Sequence, residues 1–175
     1  MSCCGNTEKR KTVTLVQSRK NLLYDISNYA FVEGDIIGGT AAHAAHQVKD
    51  IAEDGNIDRV TRVLNLAHAE TVEMLYPYTK EMLSEEGAEY SDVMSEPAEY
   101  RVRMSVPEGF SATTVRLLQE LVHEYMVCRA LQDWLGMTYP GSAPVWAGKV
   151  DYVLGKIRAS LVSRMGHIRR KMKPF

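Results

Sequence analysis

The chain is predicted to be mainly α: a single-domain helical bundle of about five helices, with one small β-hairpin and a long C-terminal helix. Three observations lead there. Apolar residues recur at steps of three and four over most of the length, as the buried face of a helix requires. One short segment, Tyr100 to Val106, alternates apolar and polar residues with period two instead, which is the pattern of a half-buried strand. A chain of 175 residues, 45% apolar and 25% charged, is long enough for one core that needs no disulfide or metal.

In chain order, residues 1–12 are polar, charged and without periodicity, and residues 1–17 read as a flexible basic arm before a helical domain over 18–175. Ser18 suits the N-cap of a first helix, with Leu22, Leu23, Ile26, Tyr29 and Ala30 on one face. Gly34 and the Gly38-Gly39 pair are expected to break it. Thr40 caps a second helix with a small face of Ala41, Ala45, Val48 and Ala52, and Asp54-Gly55-Asn56 is a turn signal. A third helix over Ile57–Leu75 turns Val60, Val63, Leu64, Ala67 and Leu75 inward. The short connection predicts that helices two and three form an antiparallel hairpin. Pro77 ends that helix or starts a new turn.

Residues 78–98 are irregular and acidic, with room for a short helix at 79–84. The alternating strand closes at Pro107-Glu108-Gly109; its partner is expected in Glu89–Met94 or in another subunit. A fourth helix opens at Ser111, ends at Gly136 and is apolar over most of its girth, which places it centrally in the core. Ser142 and Pro144 start the last helix, whose face runs Trp146, Val150, Val153, Leu154, Ile157, Leu161, Met165, Ile168 and Met172. Extended to Met172 it would be roughly 43 Å long at 1.5 Å per residue, so its basic end would project beyond the globule.

The net charge of −1 hides an asymmetry. Residues 1–20 carry Lys9, Arg10, Lys11, Arg19 and Lys20 against Glu8, a balance of +4. Residues 152–175 carry seven basic residues and no acid, a balance of +7, while 21–151 hold nine basic and 21 acidic residues, a balance of −12. Basic ends on an acidic body predict contact with something negative, either nucleic acid or the acidic face of another subunit. No apolar run approaches the roughly 20 residues of a membrane span, and Met1-Ser2-Cys3-Cys4-Gly5 lacks a signal peptide's apolar stretch, so an intracellularly assembled protein is expected. Three cysteines (Cys3, Cys4 and Cys128) are not a disulfide framework; Cys128 is expected to be a small buried hydrophobe.

Candidate chemistry is sparse. The glycines lack the Lys-Ser/Thr ending of a phosphate loop, and no Gly-x-Ser-x-Gly elbow is present. His43 and His46 share one side of a helix. Glu120 and His123 have the Glu-x-x-His spacing that aims two ligands into di-iron bundles, but a second such pair is missing, and His68, Glu70 and Glu73 would substitute irregularly. Trp134, Trp146, Tyr125, Tyr139 and Tyr152 cluster in sequence around the junction of the last two helices and read as a core corner. No catalytic set, cofactor, metal or membrane partner is assigned. The expected partner-binding residues are Arg164, Arg169, Arg170, Lys171, Lys173 and the terminal Phe175, a charged segment ending in an apolar plug.

One resemblance covers roughly residues 111–175. A long apolar helix ends in Arg129-Ala130-Leu131-Gln132-Asp133-Trp134-Leu135, a short Pro/Gly/Ser loop follows, and then a Trp-bearing amphipathic helix with a basic terminus. This resembles the small helical head–tail connector (adaptor, or neck) proteins of tailed bacteriophages and prophages. The resemblance implies a structural virion protein rather than an enzyme, assembled in the bacterial cytoplasm as a homo-oligomeric ring under the portal at the capsid vertex. It further implies C-terminal segments that dock on the portal or a neighbouring subunit, and a lumen that passes DNA. The chain departs from compact members of that family in its longer N-terminal hairpin and its acidic 78–99 segment. Two other readings of the residues stay open: a metal-binding helical enzyme using Glu120 and His123, and a nonspecific nucleic-acid-binding accessory protein.

Overall fold

The computed structural model describes residues 9–39, 42–76, 78–80 and 93–162. Among them are five α-helices and a two-stranded antiparallel sheet, in the order β1 (Arg10–Ser18), α1 (Arg19–Gly38), α2 (Ala42–Lys49), a 3-10 turn (Asp50–Ala52), α3 (Asp54–Met74), β2 (Glu99–Pro107), α4 (Ala112–Thr138) and α5 (Ala143–Val162). The architecture is mainly α with a small antiparallel β element, as the periodicities predict.

Of the flexible arm expected over 1–17, residues 10–17 are corrected by the sheet, and residues 1–8 lie outside the described residues. Residues 10–18 are a strand paired along its whole length with β2, in a register running from Arg10 opposite Pro107 to Ser18 opposite Glu99. The partner expected for β2 in Glu89–Met94 is therefore replaced by β1; residues 93 and 94 are not in a strand, and 89–92 lie outside the described residues. Leu15, Tyr100, Val102, Met104 and Val106 form the dry face of this sheet, while the alternate positions stay in water. Burial of that face against α3 and α4 supports a ribbon that two strands alone would hold only marginally.

Side chains and loops satisfy the outer edges of the sheet. Ser105 N–H donates to the Tyr78 carbonyl at 2.8 Å, and His68 Nε2 donates to the Arg101 carbonyl at 3.0 Å. On β1, Val16 N–H donates to Gln119 Oε1 at 3.2 Å while Gln119 Nε2 donates to the Val16 carbonyl at 2.6 Å, so one amide side chain stands in for a residue of a third strand. At the β1–α1 junction, Arg19 N–H donates to the Ala98 carbonyl at 3.0 Å, and its guanidinium reaches Glu96 at 3.2 Å and the Thr61 hydroxyl at 3.0 Å.

Helix α1 runs through Gly34, a second correction, and ends at the Gly38-Gly39 pair as expected. Gly34 is buried against α2; a Cβ there would lie 2.9 Å from the Ala45 carbonyl oxygen and 2.7 Å from Lys49 Cγ. The missing side chain lets two helices approach rather than ending one. The small face of α2 therefore packs on α1, and the expected α2–α3 hairpin is replaced by an α1–α2 pair. The Asp54-Gly55-Asn56 signal is the first turn of α3, which starts three residues earlier than its apolar pattern.

Helix α4, 27 residues and about 40 Å long, is the central element, with Ser111 at its N-cap. It packs against α5, α3, α1, α2 and β1 and buries side chains around its girth, from Leu118 and Val122 through Met126 and Leu131 to Leu135. Helix α5 lays Trp146, Val150, Val153, Ile157 and Leu161 on this core. The two tryptophans anchor α4 and α5 to the N-terminal helices: Trp134 Nε1 donates to the Val48 carbonyl of α2 at 3.0 Å, and Trp146 Nε1 donates to Glu33 of α1 at 3.1 Å. The expected continuation of α5 to Met172 lies outside the described residues, as does most of the helix expected at 79–84. Among the described residues no helix is long and apolar enough to cross a membrane.

Candidate functional site

Two features stand out on the surface: a polar groove where β1, α1 and α4 meet, and a pair of exposed apolar stripes on α1 and α5.

The groove has a volume of about 510 Å³ and is lined by the end of β1, the first turns of α1 and the Gln119–His123 stretch of α4. Its organising residue is the nearly buried Gln17. Gln17 Nε2 donates to the Gln119 carbonyl at 2.8 Å, which turns its Oε1 toward His123 Nδ1 at 3.2 Å. The other ring nitrogen of His123 lies 2.8 Å from Asp25 Oδ2. Both nitrogens of His123 thus face oxygens of the protein. Glu120 lines the same groove, so the Glu-x-x-His pair does converge on one site, but the neighbours of His123 are Asp25 and Gln17 rather than a second Glu-x-x-His. Among the described residues no group of three or more His, Cys, Asp or Glu side chains gathers closely enough to hold a metal ion.

Asp25 is shared with a second hollow of about 340 Å³, bounded by Asn28, Tyr29 and Val32 of α1 and by Glu124 of α4. The Glu124 carboxylate beside Tyr29 pushes that phenol's pKa up, with burial adding to the effect. Burial and the same Glu124 raise the Cys128 thiol to about 12. Cys128 is fully buried and inert at neutral pH, as a structural cysteine should be. Chemically the two hollows offer carboxylates (Asp25 and Glu120 in the first, Asp25 and Glu124 in the second), phenols and amides: linings that suit cationic side chains.

The remaining sequence candidates are dispersed. His46 pairs with Asp50 at 2.9 Å on an exposed face. His68 holds the edge of β2 and packs obliquely on Tyr100. Glu70 accepts from the Tyr125 hydroxyl, and Arg129 lies 3.5 Å away. Arg164, Arg169, Arg170, Lys171, Lys173 and Phe175 lie outside the described residues, as do Cys3 and Cys4.

Sequence reasoning missed the outward stripes. On α1, Asp25, Tyr29, Val32 and Ile36 follow at i, i+4, i+7 and i+11 and so share one side; Val32 is 55% and Ile36 72% exposed. On α5, Val145, Lys149, Tyr152 and Lys156 repeat the same spacing, with Val145 60% and Tyr152 63% exposed. The stripes are neighbours, because Tyr29 meets Trp146 edge-on at 5.4 Å and the Lys149 ammonium sits 3.8 Å from the Trp146 ring centre. Their signal in the sequence was a second apolar periodicity on helices whose core face was already accounted for. Against protein-family models, curated proteins and solved structures, the chain matches none.

Proposed function

We propose that this chain is a structural subunit that works by association: a head–tail connector (neck) protein that forms a homo-oligomeric ring and joins portal to tail in a phage particle. The observation that carries association is the pair of exposed stripes, one apolar with an acid at its head, the other alternating apolar and basic residues. Large apolar side chains grouped in water are the usual mark of a protein–protein surface. Val16, Leu66, Val93 and Leu117 are also exposed, but they stand on other elements.

The two stripes are unlike, and their charges are complementary. Asp25, with Glu124 beside it, answers Lys149 and Lys156. Pairing the α1 stripe of one subunit with the α5 stripe of the next is a head-to-tail contact, and head-to-tail contacts close into rings when the rotation per subunit allows. The acidic, aromatic hollow along α1 and α4 suits the basic segment Arg164–Lys173, carried beyond α5 to a neighbouring subunit or to the portal. The connector identity and its place in the virion rest on the resemblance in helix order over 111–175.

The test combines solution mass with two variants. The full chain is expected to assemble. Ile36→Asp with Tyr152→Asp is expected to return it to a folded monomer, since a charge in each stripe opposes burial. Deleting 166–175 is expected to leave a folded protein that no longer docks on its partner. A full-length chain that stays monomeric, or stripe variants that assemble unchanged, would overturn the reading.

A further inference from the structure

We propose that the polar groove between β1, α1 and α4 is the intramolecular seat of the chain's own basic segment, residues 163–175. The contact needs only the groove and the segment, not a ring, so it is independent of the connector reading.

The path of α5 brings the two together. Four residues separate α4 from α5, and the helices pack on each other, so α5 runs back along α4. Its 20 residues return about 28 Å at 1.5 Å per residue, which brings Val162 to within about a turn of the level of Gln119. Gln119, Glu120 and His123 are the wall that α4 gives to the groove. The 13 residues after Val162 reach roughly 43 Å when extended, well beyond the roughly 10–12 Å width of a helix. Gly166, four residues past Val162, is where the chain can leave the α5 axis.

Charge selects the occupant. Of the residues outside the described set, every arginine and lysine falls in this segment: Arg164, Arg169, Arg170, Lys171 and Lys173. In the groove, the exposed Glu120 carboxylate has no partner among the described residues, and Asp25 gives one oxygen to His123. Arginine and lysine bound to such carboxylates make the stronger, charge-assisted class of hydrogen bond. The Tyr24 ring, 67% exposed on the groove wall, offers a face to a guanidinium or a methionine thioether, and Arg169, Arg170 and Met172 supply both. Behind these groups the nearly buried Gln17 holds Gln119 and His123, so the floor is fixed before anything binds. In the free subunit the groove then shelters the segment that the proposed function sends to a partner, and the partner must compete for it. That consequence rests on the connector reading; the contact itself does not.

The experiment is zero-length carbodiimide cross-linking of the full-length chain carrying Ile36→Asp and Tyr152→Asp, two positions outside the groove. Links are mapped by mass spectrometry on an equimolar mixture of isotope-labelled and unlabelled protein. Lys171 or Lys173 is expected to link to Glu120 or Asp25, with both ends of each link carrying the same isotope. Trypsin gives a second readout, since cleavage at Arg169–Lys171 follows the population in which the segment is released. Glu120→Lys is expected to speed that cleavage about tenfold, the size of one lost charge-assisted bond, whereas Glu73→Lys on α3 is expected to leave it unchanged. Links from Lys171 and Lys173 that go only to the acids of 81–92, links only between chains, no links at all, or equal cleavage of the two glutamate variants would overturn the proposal. The mass of the unmodified chain is measured separately, so a subunit that forms no ring and a groove that holds no segment are told apart.

Discussion

Gly34 separates two effects that usually run together. In a helix interior, Gly→Ala normally gains about 1 kcal/mol from backbone propensity. Here the new methyl would lie 2.9 Å from a backbone oxygen of α2, and overpacking of this kind costs roughly 1–3 kcal/mol. Gly34→Ala is therefore expected to destabilise the fold by about 1 kcal/mol net, read from urea unfolding; stabilisation would mean that α1 and α2 have room to spare. Cys128 gives a second residue-scale prediction. Its thiol is raised from near 9 to about 12 in the folded protein, chiefly by burial, and burial raises Tyr100 from 10 to about 12. The unfolded chain releases these protons first as pH rises, so the stability these two groups contribute is fully present below pH 9 and is lost from there toward pH 12. Alkylation mapped by mass spectrometry at pH 8 should leave Cys128 unmodified until denaturant is added. Rapid labelling of the native protein would contradict its burial.

The secondary elements differ in how much of each a local reading can recover. Helices α3, α4 and α5 were legible because their apolar residues repeat over five or more turns, and β2 because four inward residues alternate without a fault. Strand β1 was not. Arg10, Lys11 and two threonines dilute its alternation, and its partner lies more than 80 residues away, a distance that no local pattern records. The groove was half legible for the same reason: the Glu120–His123 spacing is local, whereas Asp25 and Gln17 reach His123 from 98 and 106 residues away. Hydrogen exchange tests the strand directly. Lys11, Val13, Leu15 and Gln17 face β2 in the ladder, because Val16 turns its N–H outward to Gln119. The amides of Val13, Leu15 and Gln17 are expected to exchange slowly and those of Thr12 and Thr14 quickly. Uniformly fast exchange over 10–18 would restore the flexible arm.

At the scale of the whole molecule, the surfaces are sorted by chemistry. One side presents two apolar stripes, one headed by Asp25 and the other carrying Lys149 and Lys156, and the hollows along α1 and α4 are lined by carboxylates. A lone protein gains nothing in stability from leaving Val32, Ile36, Val145 and Tyr152 in water, since each apolar side chain covered is worth on the order of 1.5–3 kcal/mol. A subunit that meets its neighbours through those stripes recovers that energy on assembly. Basic termini on an acidic body fit the same arrangement, with oppositely charged surfaces brought together between subunits. The measurement that tests this most directly is the mass of the full-length protein by light scattering on a sizing column across a range of concentrations, with negative-stain images of the peak. The account predicts closed rings whose mass is a whole multiple of 19.7 kDa; a single 19.7 kDa species at every concentration would contradict it.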